Sequence, residues 1–364
     1  VTINYVFKIM SIILAIIGIV ILVYTTFDVL VTTLTVGGGG PITSRFSSGI
    51  WWIVLQIHHR KSSHRLLSIT GLVLLTGIAL AWYILTWIGW TLIFCAENSA
   101  VINASSKIPA DIWERIYFVG YTISTLGMGD YQAQGRIWQI ATAISSASGF
   151  FLVTLSIAYL LPIVSAASEK RAFATYISSL GGTADEILIR AWNGQSFGEL
   201  SSHLSSLTPT LTEQGEKHLA YPVLHYFHSV ERARSLPLSL IALDEALTLL
   251  QYGIPDKYQP EPAALGAARR ASAAFLKTLK SAYLEPASYN PQLPSLEILR
   301  SKGIPTVSDE EFWSRTKIIT KRRRFLLALA ENDGWTWDAI ASSITTNRAS
   351  SLDDETMIDD VMLH

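Results

Sequence analysis

Three stretches of this chain run without a charge for longer than a soluble core requires. Nineteen uncharged residues separate Lys8 from Asp28, 31 run from Leu66 to Ala96, and 32 run from Ile137 to Ser168. About 20 apolar residues are enough for a helix to cross a bilayer, so each stretch predicts a span. The two longer ones would tilt or extend past the hydrocarbon. No comparable run follows Arg171. Beyond it, Leu and Ala recur at spacings of three and four, which predicts helices near 184–192, 197–206, 212–234, 237–252, 262–283, 293–301, 308–332 and 335–344. The pattern is that of an all-α membrane protein followed by an α-helical domain.

The interruptions are as informative as the runs. Gly37 to Pro41 reads GGGGP and breaks any helix. Residues 44–59 have too short an apolar core to span, and with Trp51 and Trp52 beside a basic end they suit a helix lying in the membrane interface. Asp28 stands just past the first span. It is expected at headgroup level, paired with Arg45 or Arg60, or alternatively in a gating or proton-sensing role. Between the second and third runs lies Thr125-Leu126-Gly127-Met128-Gly129-Asp130. Non-helical backbone at membrane depth persists only inside protein or beside water. Alternating glycines permit dihedrals that turn successive carbonyls toward one axis. Before this segment, Pro109-Ala110-Asp111 opens a helix running to about Ile123, with proline suited to the first turn and Asp111 and Glu114 complementing the positive helix end. At about 12 residues it is a half-helix, too short to span. Its C-terminal end carries the partial negative charge that favours a cation.

Short helix, Thr-x-Gly-x-Gly-Asp and long returning helix together resemble the pore module of the potassium-channel family, over about residues 66–170. The resemblance implies a tetrameric pore-loop channel, since one such loop per chain closes a fourfold ring only as a homotetramer. It implies K⁺ ions held in the filter by the carbonyls of Thr125, Leu126, Gly127 and Met128 and by the Thr125 hydroxyl, with Gly129 completing the segment. Gly149 falls where family members often carry a hinge glycine, and Pro162 follows where a kink is expected, so both are candidate gating residues. Two positions depart from the family. Met128 replaces the usual aromatic between the filter glycines, with Tyr117, Phe118 and Tyr121 available as an aromatic cuff. Tyr121 stands where several members have a glutamate facing the filter aspartate, so Asp130 needs another partner, or water.

Charge sets the orientation. His58-His59-Arg60-Lys61, with His64 and Arg65, precede the second run, and Lys170-Arg171 follow the third. Positive flanks face the cytoplasm, which puts the filter outside and the C-terminal domain within a multi-pass protein of the cell (inner) membrane, in contact with membrane lipids. The first run lacks a basic start and a small-residue cleavage site, so it reads as a retained anchor. The chain is 49% hydrophobic with net charge −1, which gives no basis for nucleic-acid binding. The single Cys95 excludes an intrachain disulfide and a thiolate-rich metal site. No run carries spaced arginines, so a cytoplasmic gating ligand of unknown identity is expected in place of a voltage sensor.

The division expected is 1–65 for the N-terminal helices, 66–170 for the pore module, 171–345 for the cytoplasmic domain and 346–364 for an acidic tail. In the cytoplasmic part no Gly-rich turn after a strand supports a nucleotide site, and no organic cofactor is expected. His225 and His228 at spacing three, with His218 before them and His203 elsewhere, could hold zinc, sense pH, or belong to an aromatic-rich helix packing. Lys321-Arg322-Arg323-Arg324 fits anionic lipid headgroups or a solvated helix end. No nucleophile–base or paired-carboxylate motif points to an enzyme. The reading is a potassium-selective channel. The alternatives are a non-selective monovalent cation channel or a membrane-anchored sensor or scaffold with a vestigial pore.

Overall fold

The computed structural model describes residues 2–35, 37, 39–61, 63–281 and 284–341, so the tail expected at 346–364 lies outside the described residues. The chain is all-α with one small ribbon. Its helices are α1 (Thr2–Leu34), α2 (Pro41–Lys61), α3 (His64–Cys95), α4 (Ile112–Ile123), α5 (Arg136–Leu180), α6 (Ala184–Ala191), α7 (Leu200–Ala220), α8 (Leu236–Thr248), α9 (Pro262–Ser281), α10 (Glu297–Ser301), α11 (Asp309–Thr316), α12 (Thr320–Asn332) and α13 (Asp338–Ala341). Strands β1 (Val101–Asn103) and β2 (Tyr131–Ala133) pair antiparallel, Val101 opposite Ala133 and Asn103 opposite Tyr131. Three segments, Lys8–Leu34, His64–Cys95 and Arg136–Leu180, are long and apolar enough to cross a membrane.

Two compact units divide the chain. One combines the chain up to Trp51 with Leu72–Val164, the other Trp52–Gly71 with the chain from Ser165 onward. The boundary at 71/72 differs from the one read at 65/66. The end of α2 and the first turns of α3 carry His58, His64 and Leu67, which pack among residues of the second unit.

In the first unit, Asp28 overturns its expectation. It is wholly buried and meets neither Arg45 nor Arg60. Its carboxylate caps the start of α2, accepting from Ile42 N at 2.6 Å and Thr43 Oγ1 at 2.7 Å, and also accepts from the Trp82 indole at 2.8 Å. Free amides and the positive end of the helix dipole replace the expected guanidinium. One carboxylate therefore joins α1, α2 and α3.

The second unit packs around α8, whose thirteen residues are all buried. A helix buried on every side is a core helix. The Leu200, Leu204, Leu207 and Leu211 stripe of α7 is buried and continues across Pro209, so the two helices read at 197–206 and 212–234 are one that stops at Ala220 before Pro222. A 3₁₀ turn, Pro222–Tyr226, follows. The stretch read as 293–301 begins as helix only at Glu297, after Pro291 and Pro294. The one read as 308–332 is broken by a 3₁₀ turn at Lys317–Ile319.

In the basic run 321–324, Lys321 is exposed while Arg322, Arg323 and Arg324 turn inward to protein partners. Arg322 bonds the buried Asp244, which also takes the Ser272 hydroxyl at 2.8 Å and Arg269 at 3.2 Å. Arg323 grips Glu245 through two bonds of 2.8 Å and donates to the Pro291 and Gln292 carbonyls. Arg324 donates to the Ala287 carbonyl. Burial pushes the Asp244 carboxyl up, yet the bonds and charges of Arg322 and Arg269 outweigh it and leave it below the ordinary range. Burial wins at Glu245, which stays above that range despite Arg323. Breaking such a pair from one side costs about 3–5 kcal/mol because a buried charge loses its partner. Arg323→Met is therefore expected to lower stability by about that amount, measured by denaturant unfolding of the full chain. Replacing both members, as Glu245→Leu with Arg323→Met, should recover most of the loss.

Candidate ion-conduction site

The site begins with the half-helix. Asp111 is its N-cap and α4 starts at Ile112, so Pro109 lies outside the first turn and pairs in an isolated bridge with Ile102. A capping box closes this end. Glu114 N donates to Asp111 Oδ1 at 2.8 Å and Asp111 N to Glu114 Oε2 at 2.7 Å. Its twelve residues span about 18 Å, well short of a bilayer core. Beyond Ser124 the chain enters the segment expected to be the filter, where Thr125 N donates to Thr122 O at 3.0 Å and Leu126 N to Tyr121 O at 2.9 Å.

From there the backbone alternates. Thr125, Gly127 and Gly129 have φ of +58°, +59° and +86°, while Leu126 and Met128 do not enter the left-handed region. Alternation of this kind turns successive carbonyls toward the same side. A Cβ added at Gly127 or Gly129 would meet open space, so glycine is needed there for its dihedral alone. Thr125 has no such freedom. A β-branched residue in that region stores on the order of 1–3 kcal/mol, as strained functional segments do.

After the filter the chain is tied down again. Ala104 N donates to Asp130 O at 2.8 Å, and β2 follows at once, paired to β1. The Tyr131 hydroxyl donates to Glu114 Oε1 at 2.5 Å, so the carboxylate that closes the capping box also holds the residue after the filter. Tyr117 hydrogen-bonds Asp130, and the Tyr121 hydroxyl donates to Tyr131 O at 2.6 Å. Asp130 thus has the partner that Tyr121 could not be. Phe118 is buried edge-on to Phe94 at 5.2 Å and to Tyr121 at 5.4 Å, and Tyr117 is edge-on to Tyr121 at 5.1 Å. These rings pack on one another. Within the chain, Met128 is 62% exposed and stands outside the expected cuff.

Sequence reasoning missed Arg115. It is buried, and all five of its N–H groups find carbonyl or amide oxygen: Ala110 O, Phe94 O, Glu97 O, Asn98 O and Asn98 Oδ1. It closes the C-terminal end of α3, where a cation suits the dipole, and joins it to the start of α4. The one available signal was an arginine in the first turns of an otherwise apolar half-helix.

Residues 69–166 match the family model described as "Ion channel". Over 321 residues the chain is 35% identical to "Uncharacterized membrane protein YdjJ" of Bacillus subtilis (strain 168), covering 88% of this chain and 94% of that protein. No solved structure matches the chain. The chain belongs to the ion-channel family.

In this channel protein Gly149 lies within a continuous α5, and a Cβ there would strike the carbonyl of Ile123 at the end of the half-helix. The glycine permits that close approach. Pro162 also lies inside α5, where it leaves the Ala158 carbonyl without its helix donor. A cleft of about 580 Å³ runs beside the filter, lined by Thr125, Gly127 and Gly129 with Thr142 and Ser146 of α5 among others.

The zinc site expected at His218, His225 and His228 is not formed. Among the described residues no three His, Cys, Asp or Glu side chains are placed to hold a metal ion. The helix that would have set His225 and His228 on one face ends at Ala220. His218 Nδ1 bonds Gln214 O, and His225 Nε2 accepts from Asn332 Nδ2. His228 meets His64, and His203 meets the Tyr176 hydroxyl. Gly149→Ala is expected to destabilise the protein by about 1–3 kcal/mol through overpacking against fixed backbone, with Gly→Ala at exposed Gly49 of α2 as a neutral control in thermal unfolding.

Proposed function

We propose that the protein is a potassium-selective channel, a homotetramer whose filter carbonyls replace the hydration shell of K⁺. The alternating left-handed φ values at Thr125, Gly127 and Gly129 carry this reading. With that backbone, the carbonyls of Thr125, Leu126, Gly127 and Met128 form stacked rings around a fourfold axis, and the Thr125 hydroxyl adds another. The C-terminal dipole of α4 favours a cation beneath them. Four copies also give the 68%-exposed Leu126 and the 62%-exposed Met128 neighbours to pack on. Gating belongs to α5 between Gly149 and Pro162. The positive flanks at 58–65 and 170–171 put the C-terminal domain in the cytoplasm of a multi-pass protein of the cell membrane.

A second reading, a non-selective monovalent cation pore, draws on Met128, whose flexible chain specifies the surrounding packing less than an aromatic ring. The reversal potential of the purified protein in a planar bilayer, with K⁺ opposite Na⁺, separates the two. A reversal close to the K⁺ equilibrium potential is expected. A reversal near zero, sharpened toward K⁺ by Met128→Tyr, would establish the non-selective pore. Absence of current in both proteins would leave the scaffold reading.

A further inference from the structure

The turn at residues 222–228 concentrates contacts that conduction does not use. Lys170 of α5 is buried and donates to the carbonyls of Leu224 at 3.0 Å and Phe227 at 2.9 Å. In the same turn, His225 Nε2 accepts from Asn332 Nδ2 at 3.1 Å. Next to it, His228 Nε2 lies 3.1 Å from His64 Nδ1, and its Nδ1 lies 3.2 Å from Asp333 Oδ2. His64 stacks on Trp335 at 4.2 Å and meets His58 edge-on at 4.7 Å. His58 donates from Nε2 to Gly334 O at 3.1 Å, which leaves its buried Nδ1 without a hydrogen-bond partner.

The charges around this turn are unbalanced toward the positive. Lys170 and Arg171 come from α5, His218 from α7, His225 and His228 from the turn, and His58 and His64 from the ends of α2 and α3. His59, Arg60, Lys61 and Arg65 stand exposed beside them. Asp333 is the carboxylate that faces the group, since Glu169 is taken by Lys217. Two contacts of the turn, Asn332 to His225 and His64 to His228, use a neutral acceptor nitrogen, whereas the bonds of Lys170 and the contact of His228 with Asp333 do not. Protonation turns the acceptor nitrogen of His225 into a donor facing an amide donor. It does the same to the acceptor of the His64–His228 pair.

We propose that residues 222–228 form a proton-released clasp on residues 165–180 of α5, closed while His64 and His225 are neutral and opened when they are protonated. As a regulation of conduction it rests on the channel reading above, with the proton as the cytoplasmic ligand. The neighbouring buried groups agree in sign. Burial, then the charge of Lys170, pushes His218 down to about 3 and His225 down to about 4. A histidine depressed in the closed state contributes stability above its ordinary value of about 6.5, and that contribution is lost progressively as pH falls below it. The window of release therefore opens below about pH 6.5 and is complete near the depressed values.

Two measurements on the full-length protein test this. Amide exchange of 222–228 and 332–335, corrected for its intrinsic pH dependence, is expected to rise about tenfold between about pH 7.5 and about pH 4.5, with α8 unchanged. K⁺ flux into liposomes is expected to change several-fold over the same range. His228→Gln and, independently, His64→Phe, which keeps the stack on Trp335, should flatten both responses. An exchange step absent from the wild type, or persisting in both variants, overturns the clasp. An exchange step with K⁺ flux present but independent of pH overturns its regulatory role. An exchange step with no K⁺ flux at any pH leaves the clasp standing and overturns the channel reading instead.

Discussion

As the proposed filter, residues 125–129 must keep their carbonyls free for a passing ion and cannot use them to hold the segment in place. Its position has to come from the ends. Before the filter, Thr125 and Leu126 donate back to carbonyls of α4. After it, Asp130 O is taken by Ala104 and β2 is pinned to β1. Glu114 joins the two anchors, one carboxylate oxygen accepting from the N-cap backbone and the other from Tyr131. Between these points the alternation of handedness is imposed, and the strain at Thr125 persists because both flanks over-determine it.

The same demand for internal satisfaction recurs wherever this chain buries a polar group. Asp28 meets amides, a hydroxyl and an indole. Arg115 meets five oxygens and no carboxylate of its own. Asp244 and Glu245, on a helix buried all round, are matched by Arg322 and Arg323. In each case the partner lies on a different element, so the bond that removes a desolvation penalty also fixes two segments against each other.

That is also why some of the molecule was legible in the sequence and some was not. The long apolar helices, the half-helix and the glycine-alternating segment after it are local patterns, and a reading by period and spacing finds them. The capping box at Asp111 and Glu114 is local as well. Asp28 was misread because its partners lie 14 to 54 positions away, on elements whose contacts leave no periodic trace. The run 321–324 looked solvated because adjacent cations rarely face inward, and the acids that hold Arg322 and Arg323 are 78 residues distant. The histidines were misplaced for a different reason. Pro209 looked like a helix boundary and Pro222 did not, whereas a buried leucine stripe carried α7 through the first and stopped it before the second. Tertiary burial overrode local propensity in one place and obeyed it in the other.

End-anchoring bears directly on the substitution at Met128. If an aromatic at this position were needed to hold the filter open, losing it would release the segment. Here the conformation is set by dihedral alternation, by two glycines with open space around them, and by anchors at Tyr121, Thr122 and Ala104. None of these bonds involves the side chain at 128. The aromatic packing that the family resemblance places behind the filter is present one step outward, in Tyr117, Phe118, Tyr121 and Tyr131, and its hydroxyls are bonded to Asp130, Tyr131 O and Glu114. In the proposed filter, support comes from the tyrosines that flank the segment rather than from the side chain at 128. A methionine is tolerable in that arrangement because it carries no positional duty.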